Sequence, residues 1–386
     1  MEELTRYCQS TEMLVQYSDG RLSYLPKLHQ FAVNLKTGSI AMTKSLSKSA
    51  TLQGGGLVMF DSAWLSSYVQ KIAGCLDKLK KRTQGDIHIN MTLNLRFCDM
   101  SFSNGIRTHY SQRVGRLAVC SNGEIKHSDF GFTSNFQELY YTIEQSYLAM
   151  TRSLMAGSKQ LAMSPPNELN RILILKPQAA AYFIHEIVGH IFEYDNWNIK
   201  EYELDTNQRF LPKGCNIIDD PINSTYLAYG EHDDVGKKTE IVTVIEDGYF
   251  KNHISMCRSA EYTQQPLCRM SNFSLAGNPL GRSFLEMKAS YKDYVVIEEI
   301  SNGGINPYTG DFFISCTSQY YGNSNGEENR LAPCTYYGKV HDLNRKIIEI
   351  GSDFSSFIGI CCKSRQSLFV SSGAPSIVIS PLNIVV

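Results

Sequence analysis

The chain of 386 residues is expected to fold as an α+β protein. The expected layout is an N-terminal antiparallel sheet with two packed helices, then a strand-rich C-terminal domain mounting one chemically unusual helix. Three observations predict it. Ile87, Ile89, Met91, Leu93, Leu95 and Phe97 alternate with polar residues, the period of a strand with one buried face. Two stretches of helical spacing flank that strand. Beyond Asp195 the chain breaks into short apolar runs separated by turn residues, the pattern of many strands.

In order, Met13-Leu14-Val15-Gln16-Tyr17 before Asp19-Gly20 reads as a strand and turn, and Phe31-Ala32-Val33-Asn34-Leu35 before Thr37-Gly38 reads as another. Gly54-Gly55-Gly56 is a flexible loop. No Lys-Ser/Thr follows it, so it lacks the phosphate-loop pattern. Asp61 is the expected N-cap of a helix whose apolar face is Trp64, Leu65, Tyr68, Ile72, Leu76 and Leu79. Lys78, Lys80, Lys81 and Arg82 crowd its C-terminal end, where cations suit the helix dipole. The alternating strand comes next. Asn104-Gly105 predicts a hairpin into a second strand near 106–120, and Asn122-Gly123 another into 124–131.

Phe136, Leu139, Tyr140, Ile143, Tyr147, Met150 and Leu154 mark the second helix, ending near Gly157. Ser164-Pro165-Pro166-Asn167 is the expected linker, giving domains over 1–165 and 166–386. The second domain opens on the apolar strand Ile172-Leu173-Ile174-Leu175, then Pro177 and a helix. Further strands are expected near 216–218, 240–245, 294–297, 311–316, 346–350 and 376–379, with 323–329 a polar loop.

A hydrophobic content of 42% and a charged content of 19% suit a globular protein. A net charge of −1 with no basic block argues against a nucleic-acid partner. Met1-Glu2-Glu3-Leu4-Thr5-Arg6-Tyr7 lacks the basic start and apolar core of a signal peptide. No apolar run reaches the roughly 18 residues of a membrane span. A cytoplasmic protein is expected, and the 11 scattered cysteines read as mostly reduced thiols.

The chemistry concentrates in one stretch, Tyr182-Phe183-Ile184-His185-Glu186-Ile187-Val188-Gly189-His190-Ile191-Phe192-Glu193-Tyr194-Asp195. Ionisable groups in an apolar run are costly to bury unless paired. A dication would partner all of them, since neutral imidazole and carboxylate are its ligands. The bland alternative is a buried helix with two hydrogen-bonded histidines. In the zinc-protease pattern H-E-x-x-H the histidines share one helical face. Here His185 and His190 are five apart, which leaves them roughly 140° apart on a regular helix. Either the helix carries an i→i+5 bulge, or it breaks near Gly189. The third ligand stays open on spacing alone: Glu193 is one candidate and the Cys361-Cys362 pair another.

Here the sequence resembles the TldD/PmbA metalloproteases, in particular their zinc-bearing TldD-like subunit. His185-Glu186-Ile187-Val188-Gly189-His190-Ile191-Phe192-Glu193-Tyr194-Asp195 is similar to that family's H-E-A-x-G-H-x-x-E-x-D, an HExxxH signature. Ile218-Asp219-Asp220-Pro221, Asp233-Asp234-Val235-Gly236 and Ile245-Glu246-Asp247-Gly248 resemble V-D-D-P, D-D-E-G and I-E-D-G. Pro266-Leu267-Cys268-Arg269-Met270-Ser271-Asn272 resembles P-R-M-x-N, and Gly303-Gly304-Ile305-Asn306-Pro307-Tyr308-Thr309-Gly310-Asp311-Phe312 resembles G-G-x-D/N-P-x-T-G-D-F. Gly359-Ile360-Cys361-Cys362-Lys363-Ser364-Arg365-Gln366 is similar to G-M-C-G-K-x-G-Q. Before residue 170 the match is only in layout.

The resemblance implies a zinc peptidase. Zn²⁺ would be held by His185, His190 and Cys361, with Glu186 as general base. Glu193 and Asp195 would support the imidazoles, Glu193 being the alternative ligand. It further implies unfolded or small peptide substrates bound in extended form, and leader-peptide trimming in ribosomal peptide natural product maturation as one setting. Pairing as a homodimer, or as a heterodimer with a TldD/PmbA-like homologue, is implied as well. The rival is a non-catalytic zinc-binding or partner subunit. Cys362 and Arg365 stand where the family has glycines, Val235 replaces a glutamate, and Cys268 sits inside the P-R-M motif. The chain is also shorter than typical members.

Overall fold

Alternation builds the first sheet, as the residues around Ile89 demand. The computed structural model describes residues 5–18, 21–34, 40–46, 62–83, 87–132, 135–157, 171–222, 227–259 and 265–385. The expected turns at Asp19-Gly20 and Thr37-Gly38, the triple glycine, the Asp61 cap and the Ser164-Pro165-Pro166-Asn167 linker lie outside them. In chain order come β1 (Thr5–Ser18), β2 (Arg21–Asn34), β3 (Ile40–Leu46), α1 (Ser62–Arg82), β4 (Ile87–Phe102), β5 (Arg107–Ser121), β6 (Glu124–Gly131) and α2 (Phe136–Gly157). The strands lie in the order β3-β2-β1-β4-β5-β6, antiparallel throughout. Strand β3 was not expected: Lys44 interrupts the alternation of Ile40, Met42 and Leu46, and pairing with β2 overrides the weak pattern.

One face of this sheet carries the helices. Ile72, Leu76 and Leu79 of α1 and Leu139, Ile143 and Tyr147 of α2 close over Ile89, Met91, Leu93 and Val119. Each such buried side chain contributes about 1.5–3 kcal/mol. Leu227–Ala228, from the second half of the chain, pairs with β5, so the two halves share a sheet edge.

Besides a two-stranded ladder of Cys257–Arg258 with Leu267–Cys268, two larger sheets among the described residues make the strand-rich second half. In the larger, β7 (Ile172–Leu175) runs parallel to Asp293–Ile305, which pairs antiparallel with Asp311–Asn323. In the other, the order is Tyr249–Phe250, Val242–Glu246, Ile217–Asp219, Asn272–Leu275, Gln366–Ala374 and Ser355–Lys363. Helix α3 (Pro177–Phe183) and the turns after it are sandwiched between these sheets. The loop expected at 323–329 is shorter. The Asn323 side chain accepts from the Asn325 and Glu327 amides, at 3.0 and 3.2 Å, so the chain turns at once and Glu328–Arg330 returns as a strand.

Candidate metal centre

Helix α3 starts at Pro177, where a missing N–H costs nothing. From Ile184 to Gly189 it widens into a π-helix. The amide of His190 donates to the carbonyl of His185, an i→i+5 bond. A regular helix would splay the two imidazoles; the wider turn sets their ring centroids 5.1 Å apart, nearly perpendicular at 81°. Of the two expected routes, the bulge is the one taken. Gly189 does not break the helix, since its φ of −62° and ψ of −49° are helical. It supplies space instead: a Cβ there would meet Met270 Sδ at 2.0 Å and Phe273 at 3.1 Å.

Cys361 arrives from Ser355–Lys363, an edge strand of the six-stranded sheet. Its Sγ lies 3.4 Å from His190 Nε2. The donor atoms of His185, His190 and Cys361 all fall within 4.8 Å of one another, and all three residues are buried. His185 Nδ1 is hydrogen-bonded to Ser372 Oγ at 3.0 Å. Its Nε2 is buried and has no partner among the described residues. Such an atom costs about 1–3 kcal/mol unless something fills its lone pair or takes its proton. Two imidazoles and a thiol, with one nitrogen left open, form a donor set suited to zinc. Burial, then the neighbouring His190, hold the His185 imidazole well below its ordinary 6.5, keeping it neutral as a ligand must be.

Three acids surround this cluster and do different things. Glu186 places Oε2 3.8 Å from His190 Nε2, and burial raises its carboxyl above its ordinary value. Glu193 is fully buried behind the ring and bonds His190 Nδ1 at 2.9 Å. Burial alone would raise its carboxyl, but His190 and then Lys363 pull it down to about 2. It therefore faces the opposite edge of His190 from Cys361. Asp195 hydrogen-bonds neither imidazole; it bonds Lys363 Nζ at 2.6 Å.

Four supporting residues were not singled out by spacing. Lys363 Nζ bridges Glu193 and Asp195 and also donates to the Cys268 carbonyl. The buried Arg269 guanidinium donates to the Cys361 carbonyl at 2.5 Å and the Gln366 carbonyl at 3.2 Å, clamping the hairpin behind the thiol. Met270 N–H donates to Glu193 at 3.2 Å. Ser372 orients His185. Lys363 and Arg269 do lie in the quoted motifs, which was the available signal.

The departures also find their places. Cys362 stands where the family has a glycine; strand alternation turns its side chain outward, and it is exposed while Cys361 is buried. Ser364 and Arg365 form the two-residue turn between Lys363 and Gln366, both with positive φ. Val235 lies in a turn made by its neighbour, since Asp233 accepts from the Val235 and Lys237 amides. Gly303 stands over the acid: an added Cβ would lie 3.3 Å from Glu186 Cγ.

Residues 172–385 match the family model described as the PmbA/TldA metallopeptidase C-terminal domain. A metalloprotease of Methanocaldococcus jannaschii is 26% identical over 249 residues, covering 60% of this chain and 54% of that protein. A zinc metalloprotease TldD homolog of Saccharolobus solfataricus is 28% identical over 244 residues, covering 58% of this chain and 54% of that protein. The chain thus spans about half the length of these curated relatives. Its fold resembles the crystal structure of TldE from Thermococcus kodakarensis, with a TM-score of 0.69 at 12% identity, over 100% of this chain and 97% of that one. No helix among the described residues is long and apolar enough to cross a membrane. With more than half of its length matched by one family model, the chain belongs to the TldD/PmbA metallopeptidase family.

Proposed function

We propose that this chain is a zinc-dependent peptidase acting on unfolded or small peptides. The observation that carries the reading is the meeting of His185, His190 and Cys361 beside the half-buried Glu186, whose Oε2 lies 3.8 Å from His190 Nε2. When bound, zinc supplies a Lewis acid that polarises a peptide carbonyl and brings the ionisation of water to about pH 7. The residues do the rest. Glu186 accepts a proton from the attacking water and returns it to the leaving amine, a task suited to a carboxyl whose pKa burial has raised. Glu193 accepts from His190 Nδ1, which would leave the other ring nitrogen to hold zinc when it is bound. Ser372 does the same for His185. Among the described residues Ser355–Lys363 is the last strand of its sheet, and its outer edge would offer a backbone ladder to an extended peptide.

We infer that the active form is a homodimer or a heterodimer with a TldD/PmbA-like homologue, with leader-peptide trimming as one setting. The alternative is a non-catalytic zinc-binding or partner subunit. In its favour is Arg365, which puts a side chain at positive φ on the hairpin behind the thiol. Zinc analysis and a Glu186→Gln variant separate the two. Equal peptide processing by wild type and variant sinks the peptidase reading. Absence of co-purifying zinc, with Cys361→Ser indistinguishable from wild type, sinks the site itself.

A further inference from the structure

Residues 268–270 brace the candidate centre from behind. The Cys268 carbonyl accepts from Lys363, the Arg269 guanidinium holds the Cys361 carbonyl, and the Met270 amide holds Glu193. What secures this segment on its other side is a short ladder, Cys257–Arg258 against Leu267–Cys268.

Cys257 and Cys268 are directly opposite each other in that ladder. The Arg269 amide donates to the Met256 carbonyl at 2.9 Å, and the Cys257 amide turns away to Asp233. That pattern makes the cysteines a non-hydrogen-bonded pair, the kind whose side chains approach most closely. In such pairs the Cα atoms lie about 4.5 Å apart, within the roughly 4.4–6.8 Å that a disulfide spans. The two Sγ atoms are 3.8 Å apart. Side-chain rotation alone can close that gap. Cys257 is partly exposed, which admits a small oxidant, while Cys268 is buried.

We propose that Cys257 and Cys268 form a redox site, a dithiol that a peroxide converts to a disulfide, tightening the brace behind the zinc ligands. One thiolate attacks the peroxide, the O–O bond breaks, and a sulfenic acid and one water result. The second thiol displaces the sulfenic hydroxyl as the second water, and the S–S bond forms. Two thiol hydrogens and two electrons leave the pair, and hydrogen peroxide is reduced to two waters. Cys257, the partly exposed thiol, is the one a peroxide reaches first, and the buried Cys268 resolves it. Cys268 is one of the positions where this chain departs from the P-R-M pattern. The link to metal holding rests on the zinc reading; the disulfide does not.

The test treats the full chain with hydrogen peroxide and digests it without reduction. The expected product is one peptide pair joined through Cys257 and Cys268, two hydrogens lighter than the free peptides and separated by dithiothreitol. Amide exchange across 268–275 should slow by about threefold or more on oxidation, and should not respond in Cys257→Ser. If Cys257→Ser does not fold, Cys268→Ala serves as the unlinkable control. Failure of the joined pair to form overturns the proposal, as does a joined pair that leaves exchange unchanged. Neither readout needs bound metal, so a chain that proves zinc-free refutes the peptidase reading without touching this one.

Discussion

The His190 amide bonds the carbonyl of His185, five residues back, and this one bond turns two divergent imidazoles into neighbours. A π turn is rare and is held here by packing rather than by intrinsic preference. Met270 fills the space that Gly189 leaves free. Gly189→Ala gains about 1 kcal/mol in helix propensity. Its methyl group, however, must displace the buried Met270 sulfur, and overpacking costs about 1–3 kcal/mol. A net loss of up to about 2 kcal/mol in denaturant unfolding is expected, together with weaker zinc retention on dialysis. A variant as stable as wild type that keeps its zinc would show that Met270 can move aside freely.

Glu186 is not among the three donors that cluster, so removing its charge should separate metal holding from chemistry. Glu186→Gln keeps a side chain of the same shape. It is expected to retain zinc at wild-type stoichiometry and to lose about 10²–10⁴-fold in peptide turnover. Metal analysis and a peptide cleavage assay on the same preparation check both halves.

Gly303 gives a gentler probe of the same acid. A methyl at 3.3 Å from Glu186 Cγ and from the Tyr182 ring forces a shift of a few tenths of an ångström. Gly303→Ala should therefore lower kcat by about 3–10-fold with zinc content unchanged, because positional error at a reacting group is costly. An unaltered kcat would mean that Glu186 tolerates displacement.

Much of the site was legible in the sequence, and what was not has physical causes. The spacing of His185 and His190 demanded a bulge or a break, and the bulge is present. Cys361, 171 residues beyond His190, could not be chosen over Glu193 from local pattern; only the family resemblance pointed to it. Ser372 and Arg269 act through contacts between distant segments, which no periodicity records. The long alternating run of β4 was plain. The short strands near 257 and 267 were not, because two-residue pairings leave no pattern to read.

The turn behind Cys361 carries a local conflict that a substitution should relieve. Asn122-Gly123 and Asp247-Gly248 make two-residue turns with both central residues at positive φ, using the residues such turns favour. Ser364-Arg365 adopts the same shape, with φ of 48° and 64°. A side chain there costs about 1–2 kcal/mol, against about 0.5–1 kcal/mol for the extra freedom of an unfolded glycine. Arg365→Gly should stabilise the chain by about 1 kcal/mol, read as a raised denaturant midpoint with an unchanged slope. A lowered midpoint would mean that the arginine side chain contributes more than its backbone costs.

Asp219 ties stability to pH. It is buried beneath the Ser271 amide, which donates to it at 2.8 Å. Burial pushes its carboxyl from 3.8 up to about 7. The folded chain therefore holds a proton on Asp219 that the unfolded chain has released between these two values. Stability rises with pH only where the unfolded state binds more protons, and here it binds fewer. The contribution is fully present below pH 3.8 and is lost as pH rises through about 7. Over roughly three pH units the loss is about 4 kcal/mol, at about 1.4 kcal/mol per unit. Asn mimics the protonated acid, with one donor and one acceptor, and does not titrate. Asp219→Asn should thus match wild type below pH 3.8 and exceed its unfolding free energy by a margin that grows up to about pH 7 and is constant above it. Urea unfolding at a series of pH values reads the difference directly. Parallel curves across the series would show that Asp219 is ionised in the folded chain, with the Ser271 donors outweighing burial.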